Sequence, residues 1–262
     1  MTADTPFRPG AVSLQSLRPY VAFLKPFIVV VILWEGIVFL ELVHPRFFPS
    51  TYDIAVAIWT FTANGEIPRA MWLTLRRALT ALAIAMLVGI PLGLLMGRLR
   101  PVSWFFDPIV SIGFPIPKVT LIPVFLLWFG FGSTSKVLLA SSDAVFPIVI
   151  STYAGTKGVN RELIWSARSM GLSRLKTIRK VVMPAALPQI FNGIQIALPL
   201  SFIIVIVSEM VMGGGGLGEV LIRSARFFET PKQYATLIGV AVLGLSADRV
   251  FRFIRSYFLR WT

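Results

Sequence analysis

Three acidic side chains, Glu35, Asp143 and Glu209, lie inside or at the edge of long apolar stretches of a 262-residue chain. An ionisable group in hydrocarbon is costly and marks either a solute or ion pathway or a paired structural charge. Ser142 stands beside Asp143 in SSDAVFP and Ser208 precedes Glu209, so each pair could line a polar passage. The three acids together could also move ions or protons, the chemistry of an ion-coupled secondary transporter. Other reactive chemistry is scarce. With one histidine (His44) and no cysteine, the chain has no histidine or cysteine metal cluster, no thiol nucleophile and no disulfide framework. It contains no Gly-Lys pair and therefore no phosphate loop for ATP. Gly213, Gly215 and Gly218 in GGGGLG satisfy G-x-G-x-x-G formally, but that fingerprint needs a strand before it, and an apolar helix stands there instead. No H-E-x-x-H, nucleophile elbow or carboxylate pair occurs, which leaves a membrane-enzyme reading without a catalytic group.

A different kind of chemistry sits in the middle of the chain, in WSARSMGLSRLKTIRKVVMPAALP (165–188). This segment carries Arg168, Arg174, Lys176, Arg179 and Lys180 and no acid. Asn160 is placed to cap a helix, and Glu162 in its first turn suits the positive end of the helix dipole. Ile164, Ala167, Gly171, Leu175 and Ile178 follow three- and four-residue steps along one face. Gly171 weakens a continuous helix by about 1 kcal/mol, and Ser173 can cap a new one. The spacing predicts two short helices meeting at MGLS, with Pro184 ending the second and Pro188 opening the next span. Gly171 between Met170 and Leu172 would form a compact knob for a groove in a partner protein. An amphipathic helix lying on anionic lipid is the other reading.

The elements that position these residues are membrane spans. The chain is 56% hydrophobic and only 14% charged, well below the quarter usual for soluble domains. Apolar runs at 26–43, 79–97, 137–155, 190–212 and 234–251 are each near the roughly 20 residues that cross a bilayer. A sixth, 119–132, is short and follows the proline-broken stretch 109–117, which predicts a broken or angled span. The expectation is an all-α membrane protein of about six transmembrane helices. It would comprise a segment 1–25 and a single domain 26–262, with the first run a permanent anchor because the start lacks the pattern of a cleaved leader. The net charge of +13 fits cytoplasmic loops better than nucleic acid. Most Lys and Arg fall on the side that holds both termini, the loop after the second span and the basic segment, so that side is expected to be cytoplasmic. Arg76 and Arg77 are the awkward pair, preceding the second span on the outer side. Ala81, Ala85, Gly89, Gly93 and Gly97 recur every four residues and form a stripe for close helix packing, with Pro91 beside it expected to kink the helix.

ELIWSARSMGLSRLKTIRKVVMPAALP (162–188) resembles the cytoplasmic loop signature of permease subunits of bacterial binding-protein-dependent ABC importers. IPKVTLIPVFLLWFGFGSTSKVLL (116–139) and SEMVMGGGGLGEVL (208–221) resemble the nitrate/sulfonate/taurine branch, and the likeness spans about 70–256. The resemblance implies a type I importer permease fold in the bacterial cytoplasmic membrane. It implies a cytoplasmic ATPase dimer carrying ATP and Mg, an external substrate-binding protein, a second permease copy, and no cofactor on this chain. It also implies that loop 157–187 forms coupling helices facing the ATPase. Glu162, Ala167 and Arg168 would supply the first part of that surface, and Met170, Gly171, Leu172 and Ser173 the knob. The signature's usual E-A-A triplet falls here on Trp165, Ser166 and Ala167, so Trp165 replaces a glutamate. The solute implied is a small anion such as an alkanesulfonate, taurine or nitrate, and Arg223 and Arg226 near the outer mouth would suit its charge.

Overall fold

A computed structural model describes residues 18–260, so most of the expected segment 1–25 lies outside the described residues. Among the described residues the chain is helical throughout, with no strand. Helix α1 covers Arg18–Phe39, α2 Thr51–Ala63, α3 Glu66–Arg98 and α4 Arg100–Gly113. A 3-10 turn at Lys118–Leu121 leads into α5 (Ile122–Phe129), and α6 spans Ser133–Lys157. Two short helices, α7 (Arg161–Ser169) and α8 (Arg174–Thr177), precede α9 (Met183–Met212), α10 (Leu217–Arg226) and α11 (Thr230–Phe258).

Helices α3 and α6 and the continuous Arg174–Met212 rod are long and apolar enough to cross a membrane. The α4–α5 pair, bent by 90° at its break, makes a fourth. Pro115 and Pro117 lie within that break, as the sequence predicts. The apolar part of α1 described, Ile28–Phe39, is shorter than a span, and α11 is long but carries Asp248, Arg249, Arg252 and Arg255 in its second half.

Contacts fix how the passages run. Trp34 Nε1 of α1 donates to Pro49 O at 3.0 Å, and Thr230 Oγ1 at the start of α11 donates to Arg46 O. The end of α1, the start of α2 and the start of α11 therefore share one end of the bundle. At the opposite end, Arg255 near the close of α11 bonds Asn192 in the first half of α9, beside α7 and α8. The chain thus passes between the two ends through α1, α3, α4–α5, α6, α9 and α11.

At the centre α6 lies between α3 and α9. The small-residue stripe of α3 faces it: a β-carbon on Gly89 would stand 2.9 Å from Ile148, one on Gly93 2.6 Å from Thr152, and one on Gly97 2.4 Å from Thr156. Ala81 and Ala85 are buried in the same core with Ala140, Ala144 and Ile148. On its other side α6 meets α9 at Gly155 and Gly193, whose β-carbons would lie 2.6 Å from Gln189 and 2.8 Å from Ser151. Where the hydrophobic effect does not press helices together, this approach of backbones supplies dispersion contacts instead.

Two sequence expectations change. The second span does not begin near Leu79: α3 starts at Glu66 and takes Arg76 and Arg77 into the helix, because Glu66 opens the helix behind Gly65, Pro68 sits in the first turn where proline is tolerated, and no further proline follows until Pro91. Pro184 does not end a helix. A π turn at Ile178–Val182 joins α8 to α9, and Pro184 and Pro188 lie in the first turns of α9. A π turn widens the backbone ahead of a proline that cannot donate to the preceding turn.

Candidate functional site

The helix pair α7–α8 is built by its caps. Asn160 Oδ1 accepts from the Glu162 N–H at 2.9 Å, and Ser173 Oγ accepts from the Lys176 N–H at 3.4 Å. Helix α7 closes in a Schellman turn, where Leu172 N–H donates to Ala167 O (3.2 Å) and Gly171 N–H donates to Arg168 O (2.9 Å). Gly171 takes φ +81°, and a β-carbon there would meet nothing within 4 Å. Within this chain the dihedral, not the space, calls for glycine. Ile164 anchors the pair in a buried cluster with Leu94, Val159 and Val182, and Ala167 is buried. Leu163, Trp165, Met170 and Leu175 point outward, Met170 with 71% and Leu175 with 77% of its surface exposed. The stripe expected through Gly171 and Leu175 therefore stops at Ala167, since the turn at Gly171 re-aims α8. Glu162 is exposed and sits 3.4 Å from Asn160, its own capping residue; Arg168 and Ser173 are exposed as well.

At the other end of the bundle the Gly-rich segment is clamped. Arg77 Nη1 donates to Glu209 Oε1 and to Gly215 O, Nη2 to Gly214 O, each at 2.7 Å, and Nε to Ser133 Oγ at 3.0 Å. Glu209 Oε2 accepts from Thr74 Oγ1 (2.8 Å) and from the Gly218 N–H (3.1 Å). The Leu217 N–H donates to Thr74 Oγ1 at 2.9 Å. Lys136 Nζ adds bonds to Phe131 O (3.0 Å) and Gly132 O (3.3 Å). Gly216 has φ +102°, and a β-carbon would stand 2.2 Å from the Glu209 carboxyl. GGGGLG is thus a left-handed turn pressed onto a buried ion pair, not a phosphate cradle. The sequence flagged Glu209 and Arg77 separately; Thr74 and Lys136 carried no signal of their own.

The residues expected to line a passage answer to different partners. Glu209 is sealed in its ion pair with no exposed side-chain surface. Asp143 lies 3.8 Å from Lys118, whose Nζ also donates to Gly113 O and Ile116 O at the α4–α5 break. Ser142 and Ser208 turn back on their own helix, to Leu139 O (2.7 Å) and Val205 O (2.8 Å). Glu35 caps α2 by accepting from the Thr51 N–H at 2.7 Å. The three acids share no site, and the ion-coupled reading loses its basis. Arg223 is engaged by Glu66 at 2.7 Å. Among the described residues no group of three His, Cys, Asp or Glu side chains converges on a metal position.

Comparison with known proteins agrees with this architecture. Residues 89–257 match the family described as binding-protein-dependent transport system inner membrane component. The taurine transport system permease protein TauC of Escherichia coli (strain K12) is 32% identical over 84% of this chain and 80% of its own. A protein named as an aliphatic sulfonates transport permease, SsuC of Bacillus subtilis (strain 168), is 29% identical over 89% of this chain and 84% of its own. Among solved structures, a chain of the MetNI methionine ABC transporter in an inward facing conformation superposes with TM-score 0.61 at 22% identity, covering 74% of this chain and 98% of that one. The fold is that of type I ABC importer permeases. The chain belongs to the binding-protein-dependent transport system inner membrane components: it is the membrane-spanning permease subunit of an ATP-driven importer, and hydrolysis takes place on a separate subunit.

Proposed function

We propose that this permease passes a small organic oxyanion of the sulfonate class, taurine or an alkanesulfonate, from an external binding protein into the bacterial cytoplasm. Relatives named for taurine and aliphatic sulfonates support the substrate class. The crest of α7–α8 supports the coupling route. Leu163, Trp165, Met170 and Leu175 are apolar and exposed among the cations Arg168, Arg174 and Lys176, while Ile164 roots the same helix among Leu94 of α3 and Val182 before α9. A cytoplasmic ATPase dimer holding ATP and Mg closes on this crest and pulls on α3 and α9 together. A second copy of the chain completes the passage, lipid covers apolar flanks such as Ile28–Leu33, and both chain termini lie in the cytoplasm.

The test is uptake in proteoliposomes containing the permease, its ATPase and its binding protein. Labelled sulfonate should accumulate only with enclosed ATP. Met170→Glu should insert normally yet fail to retain the ATPase, whereas Gly171→Asn should retain it, because Asn tolerates the left-handed backbone and meets open space. Uptake without the ATPase, or a Met170→Glu variant that assembles and transports normally, would sink the proposal.

A further inference from the structure

Three amide side chains recur along the first half of α9: Gln189, Asn192 and Gln195. They lie on the end of the bundle that carries α7 and α8. Arg255 of α11 donates Nη2 to Asn192 Oδ1 at 2.7 Å and Nη1 to Gln195 Oε1. Asn192 Nδ2 in turn donates to Gln189 Oε1 at 3.2 Å. A guanidinium has donors and no acceptor, so it fixes which end of each amide faces it. All three carbonyl oxygens therefore accept one bond and keep one lone pair each, while the larger unused hydrogen-bonding capacity is N–H. It consists of the Nε2 groups of Gln189 and Gln195 and the remaining proton of Asn192 Nδ2, none with a partner among the described residues. Arg255 makes no ion pair among the described residues; Asp248 on α11 is paired with Arg252.

These amides and Ser151 of α6 line a groove of about 800 Å³, within the range of small-molecule sites. Farther along α9 the lining becomes apolar, through Ile196, Pro199, Leu200 and Ile203. Gln189 is exposed and Asn192 and Gln195 are half-buried, so these N–H groups are open to a ligand, and a cluster richest in donors suits one that only accepts. A sulfonate, sulfate or carboxylate head is such a ligand, and the apolar reach suits a short alkyl tail.

We propose that this groove is a subsite for an oxyanion-headed solute, held by the N–H groups of Gln189, Asn192 and Gln195, with Arg255 as the positioning residue and counter-charge. The inference rests on the transport reading above and names where the solute touches this chain. An anionic lipid headgroup offers the same chemistry, and the test separates the two.

Gln195→Glu and Gln195→Met divide a binding role from a structural one. Glutamate gives Arg255 a charged partner, so a purely structural role predicts that Gln195→Glu is the milder change. An anion subsite predicts the reverse. In proteoliposomes with the ATPase and binding protein, Gln195→Glu should lower oxyanion transported per ATP hydrolysed at least about tenfold, from like-charge repulsion. Gln195→Met should lower it less, and the melting temperature of Gln195→Glu should not fall below wild type. Asn192→Asp should follow the same order and serves as the second variant if Gln195→Glu is poorly recovered. Wild-type transport in the acidic variants, or a larger loss with Met than with Glu, overturns the proposal. An effect seen only in vesicles containing phosphatidylglycerol, and absent in phosphatidylcholine alone, reassigns the groove to lipid and overturns the solute subsite. Failure of the wider transport reading shows separately: wild-type protein would then carry a neutral or cationic solute and no oxyanion.

Discussion

Glu209 illustrates what a buried carboxylate does when both of its oxygens are claimed. Its partners come from α3 and from the start of α10, and Arg77 holds two carbonyls of the Gly-rich turn with the same guanidinium that meets the acid. A buried ion pair is weak evidence for stability in itself, but removing one member strands the other charge at a cost of about 3–5 kcal/mol. Glu209→Leu or Arg77→Leu should therefore lower unfolding stability in detergent by that amount. The double variant should lose less than the sum of the two, since no charge is stranded. Its recovery should stay incomplete because Gly214 O and Gly215 O lose their donor. Additive losses in a double-mutant cycle would contradict this account. Glu209 and Arg77 were each visible in the sequence as a costly charge. Their pairing across 132 residues was not, because no local pattern encodes which distant backbone folds between them. The amides of α9 escaped notice for a related reason: a sequence reading ranks charged residues by their cost in lipid, whereas here the unmet capacity belongs to neutral groups whose orientation Arg255 sets.

Among the helices, the α3 stripe was legible from its four-residue step, which places Ala81, Ala85, Gly89, Gly93 and Gly97 on one face. Its partner α6 was not legible, since Thr152 and Thr156 do not announce themselves as the opposing surface. Gly93→Ala should cost about 1–3 kcal/mol by overpacking, because the added carbon would stand 2.8 Å from Val149 O, a backbone atom that cannot turn away. Gly244 in α11 meets nothing within 4 Å, so Gly244→Ala should raise helix stability by about 1 kcal/mol. Thermal unfolding of the two purified variants measures both signs, and a stabilised Gly93→Ala would refute the close-packed interface. The caps at Asn160 and Ser173 follow from local chemistry and were readable directly. Pro184 was misread because proline forbids a standard α turn but not the wider π turn that the chain uses here.

For the whole molecule, the contacts of α1, α9 and α11 leave both described chain ends at the end bearing α7–α8, as an even number of passages requires. With no native cysteine, single substitutions report sidedness cleanly. Leu175→Cys should react with an impermeant maleimide only from the cytoplasmic face of oriented vesicles, and Arg226→Cys only from the outer face. Labelling of both from one face would overturn the topology. The positive-inside count assigns the sides as an expectation that this labelling tests; the prolines announced a break at α4–α5, but its 90° angle and the seating of α10 depend on tertiary contacts. The rod from Arg174 to Met212 has a further consequence. At 1.5 Å per residue its 39 residues reach about 58 Å, with α8 at one tip and the Arg77 clamp near the other. A single inserted residue between Met183 and Glu209 would advance the rod by one step and swing Glu209 about 100° around its axis, out of phase with Arg77. The spacing between these two tips is therefore a setting counted in residues, so substitutions along α9 can accumulate over evolutionary time while insertions and deletions there cannot.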